Sequence, residues 1–202
     1  MIDVRSATPA DIEACSRVLA RAFQDDPGTM VFEPDPDRRR AILPVFFRTW
    51  VAAALADGDL VVPARAVDGL ASWFGPGSHA PSDAAMTDAG FAVVIDSFGP
   101  AAMERMGAMV GELEAQHARL MGEAHLRLEF FGVDPEAQGR GIGGALADHG
   151  HDRANTFGLP CYLETFTQRN VAWYEKRGYR VLATYLVGDD VPVYGMRREP
   201  QT

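Results

Sequence analysis

The reading of the fold turns on one stretch: Val133-Asp134-Pro135-Glu136-Ala137-Gln138-Gly139-Arg140-Gly141-Ile142-Gly143-Gly144. Before it, His125 to Val133 is rich in Leu and Phe and reads as a strand. Asp134 to Ala137 is a turn. After it, Gly141 to Phe157 reads as a helix closed by Gly158-Leu159-Pro160. Glycines let a chain turn tightly and let backbone amides face outward. The first turn of a helix carries amides without internal partners, and the dipole adds partial positive charge. Residues Gln138, Gly139, Arg140, Gly141, Ile142 and Gly143 therefore form a seat for a pyrophosphate, with Arg140 as an added cation. The bland alternative is a glycine-rich turn with no ligand. Three alternating glycines between a strand and a helix weigh against it.

Which phosphate ligand sits there is a separate question. Gly139 to Gly144 matches the G-x-G-x-x-G fingerprint of dinucleotide sites, and Glu164, 20 residues past Gly144, mimics the ribose acid. Three features oppose that reading. Five residues separate the strand from the first glycine, where the dinucleotide turn is tight. Glu164 lies inside a strand pattern. Too little chain follows for a doubly wound domain. A Walker A loop is excluded because no Gly-Lys-Ser/Thr follows.

Downstream, Cys161 to Thr165 is a strand and Asn170 to Arg177 a short helix with Gly178 at its cap. Tyr179 to Leu186 and Val191 to Met196 are two more strands around a turn at Gly188-Asp189-Asp190. Upstream, Ile2 to Arg5 alternates as a strand. Thr8-Pro9-Ala10-Asp11 starts a helix, which Asp25 to Gly28 breaks. A second helix runs from about Asp37 to Leu55 across Pro44, with two strands at Leu60-Val61-Val62 and Val67 to Phe74. Residues 78–124 hold five of the eight methionines and several glycines; Ala101 to Leu120 is helical there, as core filler or as a lid over a substrate. Helices alternating with strands predict one mixed α/β domain over residues 1–202.

Gln138 to Gly143 resembles the acetyl-CoA segment Gln/Arg-x-x-Gly-x-Gly/Ala of the GCN5-related N-acetyltransferase (GNAT) superfamily. So do the order strand, turn, helix, strand, short helix and the pieces Leu163-Glu164-Thr165, Arg169-Asn170 and Trp173 to Tyr179. Within it, Leu19 to Phe23, Ala71-Ser72-Trp73 and residues 159–179 are similar to puromycin N-acetyltransferase-type members, while 78–124 matches them poorly and varies in the family. The resemblance implies a central twisted mixed sheet with flanking helices, in which the parallel strands 126–133 and 161–165 splay apart. It implies acetyl-CoA as cofactor, its pantetheine arm pairing near Phe131 and Val133, its pyrophosphate on the amides of 138–143, and Asn170 on the arm. It also places Tyr174 beside the cofactor sulfur as general acid.

The spacing of Asn170 and Tyr174 puts both on one helix face. A core aromatic beside Trp173 is the other reading of Tyr174. Glu129 stands in an apolar strand, where its pKa would rise, and is the candidate base; a salt bridge with Arg127 is the alternative. Strict alternation puts Arg127, Glu129 and Phe131 on one face. Glu164, on the adjacent strand, orders the site or anchors a substrate ammonium. Asp26, with Asp25, closes the first helix near the family's acceptor site, as a cation anchor or a solvated helix end. His79, His117, His125, His149 and His151 read as isolated, so no metal is assigned.

Hydrophobic residues are 47% and charged residues 23%, with a net charge of −9. That balance repels nucleic acid and anionic membrane, and tolerates a cationic amine. No apolar run is long enough to span a bilayer. Cys15 and Cys161 sit apart among apolar neighbours, which fits two buried thiols in the cytoplasm and no disulfide or acyl-cysteine. The expectation is direct acetyl transfer to the amine of a small molecule. Acetylation of a protein amine, a non-catalytic acyl-CoA-binding module and a dinucleotide enzyme stay open, as does the oligomeric state, a homodimer included.

Overall fold

The computed structural model describes residues 2–201. β1 is Val4–Ser6. The Asp11 carboxylate accepts from the Thr8 N–H and hydroxyl, each at 2.8 Å, and takes a two-point contact from Arg5. This locks the Pro9–Asp11 turn that leads into α1, Ile12–Ala22. α1 ends at Ala22, with Phe23 as its C-cap, three residues before the Asp25 expected to break it. A short helix not foreseen in the sequence, α2 (Pro27–Phe32), then starts, because the Asp26 carboxylate accepts from the Gly28 N–H at 2.8 Å. Asp35 caps α3, Pro36–Asp57, which runs through Pro44.

β2 (Asp59–Pro63) and β3 (Gly69–Phe74) follow. Residues 78–124 hold α4, Asp83–Asp88, and α5, Phe91–Leu120. The helix expected over Ala101 to Leu120 is the second segment of α5, and the segment over 91–98 was not foreseen. Gly99, at φ 73 and ψ 169, interrupts α5 just before Pro100, and that break hides the first part from a periodicity argument. β4 is Leu126–Val133, α6 is Ile142–Phe157, and β5 is Cys161–Thr165. α7 (Gln168–Glu175), β6 (Tyr179–Val187) and β7 (Val191–Arg198) complete the chain.

The seven strands form one sheet in the order β1-β2-β3-β4-β5-β7-β6. Among the described residues only β4 and β5 are parallel, and every other neighbouring pair is antiparallel. A doubly wound parallel sheet is therefore ruled out, and the dinucleotide reading with it. One face buries α1, α3 and α5 around Leu43, Phe47 and Phe98. The other buries α6 and α7 around Trp73, Leu146 and Leu163. Met106 and Met109 are buried in the first of these cores. No helix among the described residues is long and apolar enough to cross a membrane.

β4 departs from strict alternation. Ala71 pairs with Phe131 and Trp73 with Leu128, so Glu129 and Phe130 together face Ser72. This is a β-bulge, one extra residue that shifts the pleat by one. The expectation that Arg127, Glu129 and Phe131 share a face is corrected. Phe130 packs with Phe23, Phe47 and Trp50 in the first core, whereas Phe131 meets Trp173 and Tyr174 of α7 on the other side.

Candidate active site

β4 and β5 pair only at Leu126↔Cys161 and Arg127↔Tyr162. Beyond those residues the two strands separate, and a cleft of about 880 Å³ opens between them. The cleft is bounded at one end by the glycine turn and the start of α6. At the other it is bounded by Asp26, Phe46, Met106 and Met109. A parallel strand that loses its neighbour leaves backbone donors and acceptors to be satisfied by something else. Phe131 and Val133 lie on this opened part of β4 and line the cleft.

At the glycine turn, Gly139 and Gly141 have φ of 78 and 86, a left-handed backbone that other residues adopt at a cost. The first α-helical bond of α6 runs from the Ala145 N–H to the Gly141 carbonyl at 3.2 Å. The amides of Ile142, Gly143 and Gly144 therefore have no partner within the helix. They lie along the cleft, an arrangement suited to an anion. Gln138 donates to the Val133 carbonyl at 3.3 Å, and Arg140 to the Glu136 carbonyl at 2.9 Å. Arg140 is thus tied back against its own turn, and both side chains are exposed.

The sequence reading missed a second cation, Arg177. Its guanidinium lies 3.4 Å over the Trp173 ring and reaches the backbone of Gly144, where a Cβ would stand 3.5 Å from it. Its position just past the end of α7, two residues after Glu175, was the available signal. Asn170 sits at the start of α7, under a Thr167 cap, and donates to the Thr165 hydroxyl at 3.0 Å. Tyr174 is buried against Phe131, Trp173 and Tyr179 while lining the cleft. Tyr174 is thus part of the core and also borders the cleft. Among the described residues no group hydrogen-bonds that hydroxyl, and burial pushes its pKa well above the usual phenol range. It keeps its proton at any working pH.

Across the cleft, Arg127 is a buried cation shared by three carboxylates. Glu114 of α5 lies at 2.6 Å, Glu129 at 2.8 Å and Glu164 at 3.0 Å. The Glu129 contact approaches Nε off its N–H direction, which leaves that nitrogen without a proper hydrogen bond. Glu164 is nearly enclosed; besides Arg127 it accepts from the Tyr162 hydroxyl at 2.9 Å and the Tyr185 hydroxyl at 3.2 Å. Its oxygens are occupied, which suits an ordering role better than an ammonium anchor. Glu129 faces the cleft with Arg127 as its ionic partner. Burial, with Glu164 and Glu114 adding to it, pushes its pKa up to about 7 despite the Arg127 charge. Asp26 also borders the cleft, and burial raises it to about 6 even though it caps α2. Asp25 is exposed, 3.7 Å from Arg39.

The histidines do not stand alone as the sequence suggested. His149 pairs with Asp59 at 2.9 Å, and His151 is buried against Tyr179. His79, His117 and His125 converge from three separate segments. Their spacings of 38 and 8 residues match no local ligand pattern, so the sequence could not show it. The two thiols are buried and unpaired, with Cys15 pushed up to about 12 and Cys161 to about 11, so neither is a nucleophile.

Comparison with known proteins gives a consistent picture. Residues 90–181 match the acetyltransferase (GNAT) domain family. The fold is similar along its whole length to a histone acetyltransferase HPA2 and related acetyltransferase from Corynebacterium glutamicum, with 26% identity, TM-score 0.74, and coverage of 100% of this chain and 98% of that one. A Drosophila melanogaster polyamine N-acetyltransferase shares the fold at 16% identity and TM-score 0.63, covering 98% of this chain and 100% of that one. The mycothiol acetyltransferase of Propionibacterium freudenreichii is 33% identical over 119 residues, 52% of this chain and 37% of that protein. An uncharacterized N-acetyltransferase of Schizosaccharomyces pombe is 35% identical over 82 residues, 38% of this chain and 34% of that protein. The matches thus span little more than a third of either curated relative.

Proposed function

With residues 90–181 matching the GNAT acetyltransferase domain family and the whole chain in that fold, we propose that the protein is an N-acetyltransferase. It moves the acetyl group of acetyl-CoA directly to the amine of a small molecule. The observation that carries this reading is the pairing of one opened strand edge with two groups on opposite sides of it. Tyr174 offers a proton on the α7 side, and Glu129 accepts one on the α5 side. The bulge at Glu129–Phe130 is what sends Phe131 and Glu129 to those two sides.

Acetyl-CoA, when bound, supplies the thioester. The residues that would hold it are the amides at the start of α6, Arg177 and Arg140 at the phosphates, Phe131 and Val133 along β4, and Asn170 on α7. Their fit rests on the unpaired amides and on the strand edge that β5 leaves open. Glu129, ionised as pH rises above about 7, removes a proton from the incoming ammonium. Tyr174 gives its proton to the departing sulfur, where negative charge develops. Two buried, high-pKa thiols leave no cysteine to carry the acetyl group, so the transfer is a single step in a ternary complex.

The acceptor class follows from the lining. Four carboxylates, Asp25, Asp26, Glu129 and Glu164, line the cleft beside four arginines, of which Arg177 belongs to the phosphate seat, and Phe46, Met106 and Met109 supply apolar wall. A cationic amine on an apolar stem fits both. Polyamine, agmatine and mycothiol are named for neighbours of this chain. The similarity of residues 159–179 to puromycin N-acetyltransferase-type proteins adds puromycin. Cytoplasmic placement belongs to the same reading, on the two unpaired thiols. So does pairing of two copies at β6, an edge strand with Leu186 exposed. The test is coenzyme A thiol release from acetyl-CoA across a panel of polyamines, agmatine, puromycin, amino acids and a lysine peptide. Release with a small cationic amine supports the proposal. Release only with the peptide, or with nothing, contradicts it.

A further inference from the structure

His79, His117 and His125 each place a ring nitrogen within 4.8 Å of the other two. They come from the loop before α4, the end of α5 and the residue before β4. His117 and His125 are buried. The His79 ring lies flat on His125, 4.4 Å between centroids and 5° between planes, and edge-on to His117 at 4.8 Å. Tyr162 stacks on the far face of the group, 5.0 Å from His117.

The hydrogen bonds assign the protons. His125 Nδ1 is 2.7 Å from the Glu123 carbonyl, so it carries the hydrogen and Nε2 has the lone pair. That Nε2 is 2.8 Å from His117 Nε2. His117 Nδ1 lies 3.3 Å from Arg127 Nη1 and 3.6 Å from a Glu114 oxygen. His79 Nδ1 is buried with no hydrogen-bond partner among the described residues. A proton between His117 and His125 satisfies that pair and still leaves His79 orphaned. A single cation with several coordination positions answers all three nitrogens.

We propose that His79, His117 and His125 form a binding site for a divalent transition-metal ion of the zinc type, beside the acetyl-transfer cleft and separate from it. Imidazole nitrogens suit zinc, copper and nickel. The surroundings already do what outer partners of metal-bound histidines do: the Glu123 carbonyl fixes the His125 tautomer, and Glu114 stands ready at His117 Nδ1. On binding, the His117 proton moves from Nε2 to Nδ1 and the ring stays neutral; the Glu114 oxygen, 3.6 Å away, must close in to accept from Nδ1 while Arg127 Nη1, at 3.3 Å, turns aside. Ligands at about 2.1 Å in tetrahedral array stand about 3.4 Å apart. His117 and His125 must therefore separate slightly, and His79 must close in from its loop. Water fills the fourth position. The ion would pin the 75–82 loop to the end of α5 and the start of β4.

The test uses the untagged full chain, stripped with a chelator and then titrated with Zn2+ by calorimetry and with Co2+ by visible absorption. The expected result is one equivalent per chain, with the intense Co2+ bands of low-coordinate imidazole ligation and a raised Tm. His79→Ala, in a partly exposed loop, should abolish the stoichiometric binding while circular dichroism stays native. His125→Gln, checked for retained acetyl-CoA binding, should do the same and stands in if the first variant is misfolded. No stoichiometric Co2+ or Zn2+ binding by the parent chain would overturn the proposal. So would equal binding by either folded variant.

Discussion

The Ser72 hydroxyl holds both backbone groups of Phe130, accepting from its N–H at 2.9 Å and donating to its carbonyl at 3.1 Å. Those are the groups the bulge removes from the β3–β4 ladder. One buried side chain therefore stabilises the kink that turns Glu129 and Phe131 to opposite sides. Ser72→Ala would leave a buried donor and acceptor unsatisfied. It should lower the unfolding free energy by about 1–3 kcal/mol per unsatisfied group. Turnover should fall as well, since the kink orients Glu129. An unchanged midpoint in urea denaturation would show that the bulge stands without Ser72.

Tyr174→Phe removes a hydroxyl that no group among the described residues hydrogen-bonds and leaves the ring in place among Phe131, Trp173 and Tyr179. Stability should hold, and so should the affinity for acetyl-CoA. Turnover should fall by about 10²-fold or more, the usual scale for a lost general acid. Stopped-flow and steady-state thiol release read both numbers. Undiminished turnover would remove Tyr174 from the chemistry.

Glu129 sets the pH dependence. Its pKa is raised from 4.5 to about 7, so kcat/KM should climb with pH and level off above about 7 as the carboxylate ionises. Glu129→Gln should lose that limb and keep only the one set by the substrate amine. The same shift bears on folding. A carboxyl with a raised native pKa contributes stability that is complete below about 4.5 and lost as pH rises through about 7. Asp26, raised from 3.8 to about 6, acts in the same direction over a lower window. Unfolding free energy should therefore decline between these limits, and Glu129→Gln should flatten its upper part. A wild-type profile flat from pH 4.5 to 7 would contradict the burial of both carboxyls.

Close packing of α6 on β3 gives a structural check. A Cβ at Gly150 would stand 2.0 Å from the Trp73 ring, which is itself buried. Gly150→Ala must push the helix or the indole aside. The expected cost is about 1–3 kcal/mol or more, read as a lowered Tm. A Tm equal to wild type would mean that α6 lies farther from the sheet.

Much of this was legible in the sequence, and the exceptions have physical causes. β5 was placed at Cys161–Thr165 from its apolar run, and α6 and its glycine entry from the change of period at Gly141. Those features are local. The bulge was not legible, because alternation assumes one residue per pleat, and only the Ser72 side chain across the sheet shows otherwise. Helix α5 was underestimated because Gly99 and Pro100 are breakers in any local scheme, yet both flanks pack on one core through Phe98 and Ala102. Arg127 was named only as a partner for Glu129. Its place among three carboxylates depends on Glu114 and Glu164, which the fold brings from either side. The histidine cluster is likewise a product of three chain segments meeting.

The central claim is that the glycine turn and the opened β4 edge are the acetyl-CoA site. Calorimetric titration of the wild type and Gly141→Asp with acetyl-CoA, and of the wild type with NADH, tests it most directly. Gly141 has a φ of 86 and stands at the entry to α6, so an aspartate there both strains the turn and places negative charge at the anion seat. The account predicts one equivalent of acetyl-CoA on the wild type, none on the variant and no NADH binding. Equal acetyl-CoA binding by the variant, or none by the wild type, would contradict it.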